Sequence, residues 1–317
     1  MNVWRLQTNT ESDTGEKSAR YCIQNGIIAM GWSLKDAEMV DDTARQERDA
    51  IVTFDDYTAF WVKYDPYRTG GKVDGSIKRL YWDVQEGDLV WIRTDGIYYL
   101  GRVTADSRWQ FVCTPEAQYW DAGNQVTHVE WVKVGGEGAV AGAVCTSLIR
   151  GHTLQRIHKD GVKEYSQMVF NEACGRTVYP SPTLTRTANN FYSLISTDDC
   201  ENLLCLWLYA RYGYVAIPTT AKKSTELYEC VLKDPKTGKN VYPQAKKGKK
   251  HLYYKDFAHL DGEVWLFTTE GTVSGDNLSG NIFVADPEEL FRFVGEPIAR
   301  HLLPDNLLLW YDALKEC

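Results

Sequence analysis

The chain has no stretch of about 18 apolar residues, the length a membrane-spanning helix needs, so no membrane partner is expected. Its eight cysteines, at positions 22, 113, 145, 174, 200, 205, 230 and 317, include no C-x-x-C pair. That spacing gives no sign of a structural zinc site, and scattered thiols fit a reducing compartment. The six histidines (His128, His152, His158, His251, His259, His301) show no metal-ligand spacing. No G-x-x-x-x-G-K-[ST] run is present to cradle a nucleoside triphosphate, and no G-x-S-x-G to present a serine nucleophile. The opening "MNVWRLQTNTESD" has no basic start followed by an apolar run, so a secretory signal is not expected. The expectation is a soluble cytoplasmic protein. Positive charge is also in short supply: the net charge is -8, which excludes a surface coated with nucleic-acid affinity but leaves room for one local basic site.

What is abundant is aromatic. Phe, Trp and Tyr make up 13% of the 317 residues, with 11 Trp. Such rings fill cores, and they also build pockets that grip flat ligands. The first half reads as short strands: "NVWRLQT", "NGIIAMGWS", "GDLVWIRTDGIYYLGRVT" and "THVEWVKV", with one or two helices such as "DDYTAFWVKYD". The run around Asp95-Gly96 is a strong hairpin signal of type I′. Many short strands with Gly-containing turns predict a small barrel. "KEYSQMVFNEACG" reads as a helix stopped by Gly175, and "YPSPTLTRTANN" as irregular chain. The boundary is placed there, giving residues 1–160 as a first domain, 161–190 as a linker with a bridging helix, and 191–317 as a second domain. In the second, "STDDCENLLCLWLYARYGY" is a helix, with Asp198 three residues before Glu201 in capping-box spacing. Short strands, a hairpin and the closing helices "DPEELFRFVG" and "PDNLLLWYDALKEC" make an α/β layout around a mixed central sheet, and the whole chain α+β.

The hairpin "TELYECVLKDPKTGKNVYPQAKKGKK" is the richest stretch chemically. With a turn at "PKTG", Asp234 opposes Lys239, Gln244 opposes Glu229 and Lys246 opposes Leu227, all four of the latter side chains on one face. A one-residue slip would put Glu226 in place of Glu229. A carboxylate, an amide and a lysine on one face suit metal-assisted phosphodiester cleavage. The carboxylate offers hard oxygen to Mg²⁺, and the lysine offsets charge in the transition state. Residues 221–255 hold ten lysines and three acids, a surplus of seven, so the rest of the chain stands at -15. Lys222, Lys223, Lys247, Lys249 and Lys250 are candidate phosphate contacts. The plainer readings are a helix-terminal acid for Glu201, a cross-strand ion pair for Glu229 and Lys246, and a solvated loop for the lysines.

These residues, Glu201, Glu229 and Gln244-Ala245-Lys246, carry a resemblance to the PD-(D/E)XK nuclease superfamily in its Q-x-K variant. The "PQAKKG" strand is similar to that of Mrr-type, modification-dependent restriction enzymes. The resemblance covers roughly residues 190–300 and implies a helix, a mixed sheet and a Mg²⁺-dependent (Mn²⁺ as substitute) DNA-cutting site. Glu201 would be the helix acid, Glu229 and Gln244 the further metal ligands, and Lys246 the catalytic lysine. Glu stands where Asp is usual, and the uncharged Gln implies weaker metal affinity. In the front half, "NGIIAMGWS", "GDLVWIRT…YYLGRVT" and "VEWVKV" resemble PUA-like domains of the EVE-related kind. That resemblance covers about residues 1–155 and implies a barrel that takes a flipped, often modified base into an aromatic pocket. Trp32, Trp109 and Trp4, with Trp131 behind them, are the ring-binding candidates; each is also a plausible core residue.

The expected function is a Mg²⁺-dependent endonuclease cutting DNA with modified bases, as in restriction or phage defence, acting as a homodimer if both strands are cut. The alternative is a non-cleaving nucleic-acid or nucleotide sensor on a degenerate nuclease fold.

Overall fold

A computed structural model describes residues 1–8, 17–149, 152–180, 183–217, 220, 228 and 230–315. The chain divides into two compact units. The first comprises Met1–Val140 with Val144–Pro182, the second Ala141–Ala143 with Thr183–Cys317.

In chain order the first half contains β1 (Val3–Leu6), α1 (Ser18–Asn25), β2 (Ile28–Met30), α2 (Asp42–Asp49), α3 (Phe54–Tyr64), α4 (Gly75–Trp82), β3 (Leu89–Thr94), β4 (Ile97–Val103), β5 (Trp109–Phe111), α5 (Pro115–Tyr119), β6 (Asn124–Val126), β7 (Val129–Gly135), α6 (Gly142–Ser147), β8 (Leu154–Arg156) and α7 (Val162–Cys174). The β3–β4 hairpin turns where the sequence places it. Thr94 pairs with Ile97, and Asp95 and Gly96 both adopt left-handed φ, 51° and 76°, as a type I′ turn requires. α3 starts at a reciprocal box between Thr53 and Asp56 and buries Phe54, Tyr57, Phe60 and Trp61, a single stripe at helical spacing. α7 stops at Gly175, φ 69°, and lies inside the first unit.

The expected barrel is not what these strands form. Among the described residues there is an open five-stranded sheet, ordered β7-β4-β3-β1-β8, and a separate three-stranded sheet, β2-β6-β5. No ladder joins the edges β7 and β8. Three helices intervene between β2 and β3, and the three-residue strands β2, β5 and β6 pair only among themselves. The short helices α2 and α4 have no long periodic pattern, which is why the sequence reading passed over them.

The second unit contains α8 (Ala188–Leu194), α9 (Thr197–Tyr212), β9 (Val215–Ala216), β10 (Leu232–Lys233), β11 (Asn240–Lys246), β12 (Leu252–Tyr253), α10 (Tyr254–Phe257), β13 (Glu263–Thr268), β14 (Val273–Ser274), β15 (Ile282–Val284), α11 (Pro287–Val294), α12 (Ala299–Leu302) and α13 (Asp305–Ala313). Its main sheet is mixed, ordered β15-β13-β11-β10-β9. β9, β10 and β11 run antiparallel in succession, while β13 and β15 add in parallel. Side chains alternate across this sheet. Odd positions of β13 meet the long helices: Trp265 lies 5.4 Å from Trp207 of α9, and Phe267 lies 5.7 Å from Tyr192 of α8, centroid to centroid. Even positions of β11 and β13, Tyr242, Val264 and Leu266, pack instead with Leu252 and Phe257. The sheet therefore has a long-helix face and a face covered by β12 and α10.

Candidate functional site

The β10–β11 hairpin keeps the register expected from its sequence. Leu232 pairs with Val241 and Lys233 with Asn240, and the Asp234 N–H donates to the Lys239 carbonyl at 3.0 Å. Asp234 shapes the turn by accepting from Lys236 N at 2.8 Å and Thr237 Oγ1 at 2.6 Å, and those donors hold its carboxyl below the usual carboxylate range. Glu226 and Glu229 lie outside the described residues, as do Lys222 and Lys223.

Register places Gln244 and Lys246 two apart on β11, on the face shared with Tyr242. Gln244 is 0% exposed and its Nε2 donates to the Ala245 carbonyl at 3.2 Å; Lys246 is half-buried. Glu201 is half-buried on α9, whose Trp207 packs on Trp265, on the other side of the sheet from Tyr242. The capping box of α9 also sits earlier than its spacing implied. Ser196 is the cap and Asp199 its partner, so Glu201 has no part in the cap. The structure thus carries Gln244 and Lys246 on one face of β11 and Glu201 on α9.

The lysines divide as well. Lys247 Nζ donates to the carbonyl of Ile195, just ahead of α9. Lys249 and Lys250 are exposed, on a backbone pinned where Gly248 N donates to Thr269 Oγ1 at 2.8 Å and the Lys250 carbonyl accepts from Thr268 Oγ1 at 3.2 Å. Among the described residues no three His, Cys, Asp or Glu side chains converge as metal ligands do. Tyr242, on the face of Gln244, donates to Asp261 Oδ1 at 3.0 Å, and the neutral amide carbonyl of Gln244 alone does not fit Mg²⁺ or Mn²⁺.

The first unit holds a cavity of about 280 Å³, below the usual 300–1,000 Å³ of drug-sized sites. It is sized for a single ring system. Trp32, Trp120 and Tyr67 supply aromatic wall, and Lys35, Glu38 and Asp121 supply charge. Each wall is braced. The Trp32 carbonyl accepts from Tyr57 OH at 3.0 Å and from Asn124 Nδ2 at 3.3 Å; Trp120 stacks on Tyr21 at 6.1 Å; Tyr67 rests 5.2 Å from Trp61. Tyr67 OH donates to Glu38 Oε2 at 2.6 Å, and burial, with Glu38 second, holds its phenol protonated well above the ordinary range. Asp121 accepts from Ser33 Oγ through Oδ1 at 3.0 Å. Its Oδ2 lies where a side chain on Gly31 would begin, 2.5 Å from an ideal Cβ, so any larger residue there would have to displace this carboxylate. Trp32, Leu34 and Asp121 all take left-handed φ (56°, 49° and 47°). Strain of that kind persists where surrounding contacts over-determine it, commonly at ligand sites. The cavity's thiol, Cys22, is pushed up to about 12 by burial and stays an inert neutral group.

Of the tryptophan candidates, Trp32 alone lines this cavity. Trp109 is edge-on to Phe54, Tyr57 and Tyr81 at 5.3, 6.0 and 5.7 Å, a core arrangement. Trp131 covers Gly101 and donates to the Ile27 carbonyl at 3.1 Å. Trp4 is 3% exposed, with its indole N–H held by Asp88 at 2.7 Å. Sequence reasoning missed Trp120, Tyr67, Glu38 and Asp121. Only the turn-like "WDAG" around Asp121 hinted at an irregular backbone there.

Family models, curated proteins and solved structures were each compared with the chain, and none matches.

Proposed function

We propose that the chain is an endonuclease acting on DNA with modified bases, the second unit cutting and the first receiving the base. One observation carries this reading. Gln244 and Lys246 share one face of a central strand, in a mixed sheet preceded by a long helix, as the Q-x-K resemblance implies. The exposed Lys249 and Lys250 that follow give phosphate a place to rest. The braced cavity of the first unit supports the base-receiving part: its size and aromatic walls suit one flipped heterocycle.

The chemistry owed to this chain is electrostatic. An ammonium beside a phosphodiester offsets the charge that gathers as the bond breaks, and removing one such donor costs about 10²–10³ in rate. A divalent ion would draw on Gln244 and on the carboxylates of Glu201 and Glu229, as the resemblance implies.

The test is incubation of the full chain with phage DNA carrying modified bases, and with unmodified DNA, in Mg²⁺ or Mn²⁺, beside Lys246→Ala. Cutting confined to modified DNA and lost in Lys246→Ala is the expected result. Cutting that survives the substitution places the site elsewhere. Binding by both proteins without cutting by either supports the second reading, a non-cleaving sensor. The neutral, fully buried Gln244 favours that alternative.

A further inference from the structure

We infer that a second basin in the first unit, separate from the cavity walled by Trp32, is a nucleoside-phosphate site. The basin encloses about 540 Å³ beside β1, α4 and β8. Arg79 of α4, Arg156 of β8 and His158 contribute basic side chains, Trp82 a flat ring, and Asp83 the one carboxylate. α4 packs against β8, and Arg156 stands directly across the ladder from Trp4 in β1.

Three observations point to an anionic ring ligand. The first is the state of the arginines. Residues 1–182 hold twenty Lys and Arg against twenty-five Asp and Glu, so acids to pair with are plentiful. Arg20, Arg48, Arg102 and Arg176 all take carboxylate partners. Among the described residues Arg79, Arg156 and His158 take none, and neither do Arg5, Arg68 and Arg108; what sets the first three apart is that they share one basin. Arg79 makes one hydrogen bond, Nη2 to Ser76 Oγ at 3.2 Å, and its Nε–H is buried without a partner. A guanidinium held in this way, with its donor fork otherwise unused, suits a phosphate.

The second is Trp82. It closes α4 with 62% of its surface exposed, while Tyr81 braces it edge-on at 4.6 Å. A large indole left open beside two arginines is a stacking platform for a base.

The third is Asp88, a fully buried carboxylate that organises the wall. It accepts from Asn2 N at 2.6 Å, Trp4 Nε1 at 2.7 Å and Gln85 N at 3.2 Å, and all three of those residues line the basin. A buried charge is tolerated only with such partners, and here its partners are the lining itself. The basin is therefore built rather than incidental. It is also where Trp4, expected to bind a ring, finds its place, as floor rather than platform.

The ligand chemistry is a phosphate attached to a flat ring, supplied either by a free nucleotide or by one residue of a nucleic-acid strand. Titration calorimetry of the full chain with inorganic phosphate, AMP and a short oligo-dA strand, without divalent ions, tests this. AMP or the oligonucleotide should bind more tightly than phosphate. Trp82→Ala and Arg156→Gln should each weaken that binding about tenfold, the scale of one lost stacking or charge-assisted contact. Both sites are exposed, so the variants should melt with the wild type. An oligonucleotide that outbinds AMP and weakens steeply with salt assigns the basin to a strand; AMP binding as tightly assigns it to a free nucleotide. Phosphate binding as well as AMP, no binding of any probe, or affinities that ignore both substitutions overturn the inference. The readout is binding alone, so failure of the chain to cut DNA would leave it standing.

Discussion

The two units place their candidate residues by opposite means. In the second, Gln244 and Lys246 sit where they do because β11 is regular: alternation and one hairpin register settle their face. In the first, the cavity comes from irregular chain, and the basin, though lined from β1, α4 and β8, is held by the buried Asp88. Three left-handed non-glycine residues, a glycine that admits Asp121 and a buried carboxylate with three donors shape the walls. Regular elements transmit position through a repeat. Irregular ones must be held at each atom, so they are stiffer where satisfied and more fragile where a partner is removed.

The most severe way to break this comparison is Asp88→Ala. It would orphan the buried Trp4 indole N–H and two part-buried backbone N–H groups, and a buried donor left unsatisfied costs about 1–3 kcal/mol. The denaturation midpoint should fall accordingly, and nucleotide binding at the basin should fall with it. A variant that melts within a degree or two of the wild type would show that the wall does not depend on this carboxylate.

Gln244→Glu should come next. Gln244 is fully buried, and an added carboxylate there costs about 3 kcal/mol unless a cation meets it. The expected result is a lowered melting temperature in chelator that Mn²⁺ restores, because an ion that binds only the folded state raises stability. Loss of stability without rescue by Mn²⁺ or Mg²⁺ would argue that this face holds no ion and would favour the sensor.

The same contrast explains what was legible in advance. The β3–β4 turn at Asp95-Gly96, the stop of α7 at Gly175, the start of α11 at Asp286 and the hairpin register between Leu232–Val241 and Asp234–Lys239 are all local rules of backbone and alternation. They can be read from neighbours in the chain. The cap of α9 was displaced by two residues because serine and aspartate crowd "STDDCE", and several pairs have the right spacing. The expected closed barrel failed because closure depends on which edge strands meet, and three-residue strands carry little pairing information. The cavity walls were opaque for the same reason: Trp32 is far in sequence from Trp120, and a tryptophan in a core and one in a pocket look alike until both are folded.

Trp32→Ala set beside Trp109→Ala sharpens that last point. Loss of a stacking ring is worth about 1–3 kcal/mol, so Trp32→Ala should weaken a modified nucleoside by tenfold or more while melting close to the wild type. Trp109→Ala should do the reverse, lowering stability through lost core contact and leaving affinity in place. Nucleoside affinity that follows Trp109 instead would move the ring site out of the cavity.

The smallest effects separate the lysines of the hairpin. Lys247 donates to the Ile195 carbonyl ahead of α9, whereas Lys249 and Lys250 are exposed on a pinned turn. Lys247→Met should lose about 1 kcal/mol of stability, the net worth of an ordinary hydrogen bond. It should leave the salt dependence of DNA binding almost unchanged. Lys249→Gln and Lys250→Gln should leave stability alone, and each should flatten the slope of log K against log salt by about 0.7–0.9, one phosphate contact apiece. An unchanged slope in the Lys249 and Lys250 variants would mean that the surplus of positive charge in this segment does not face nucleic acid. The basin beside Trp82 would then be the better candidate for a phosphate, since among the described residues its guanidinium groups are without carboxylate partners whereas Lys247 already serves the fold.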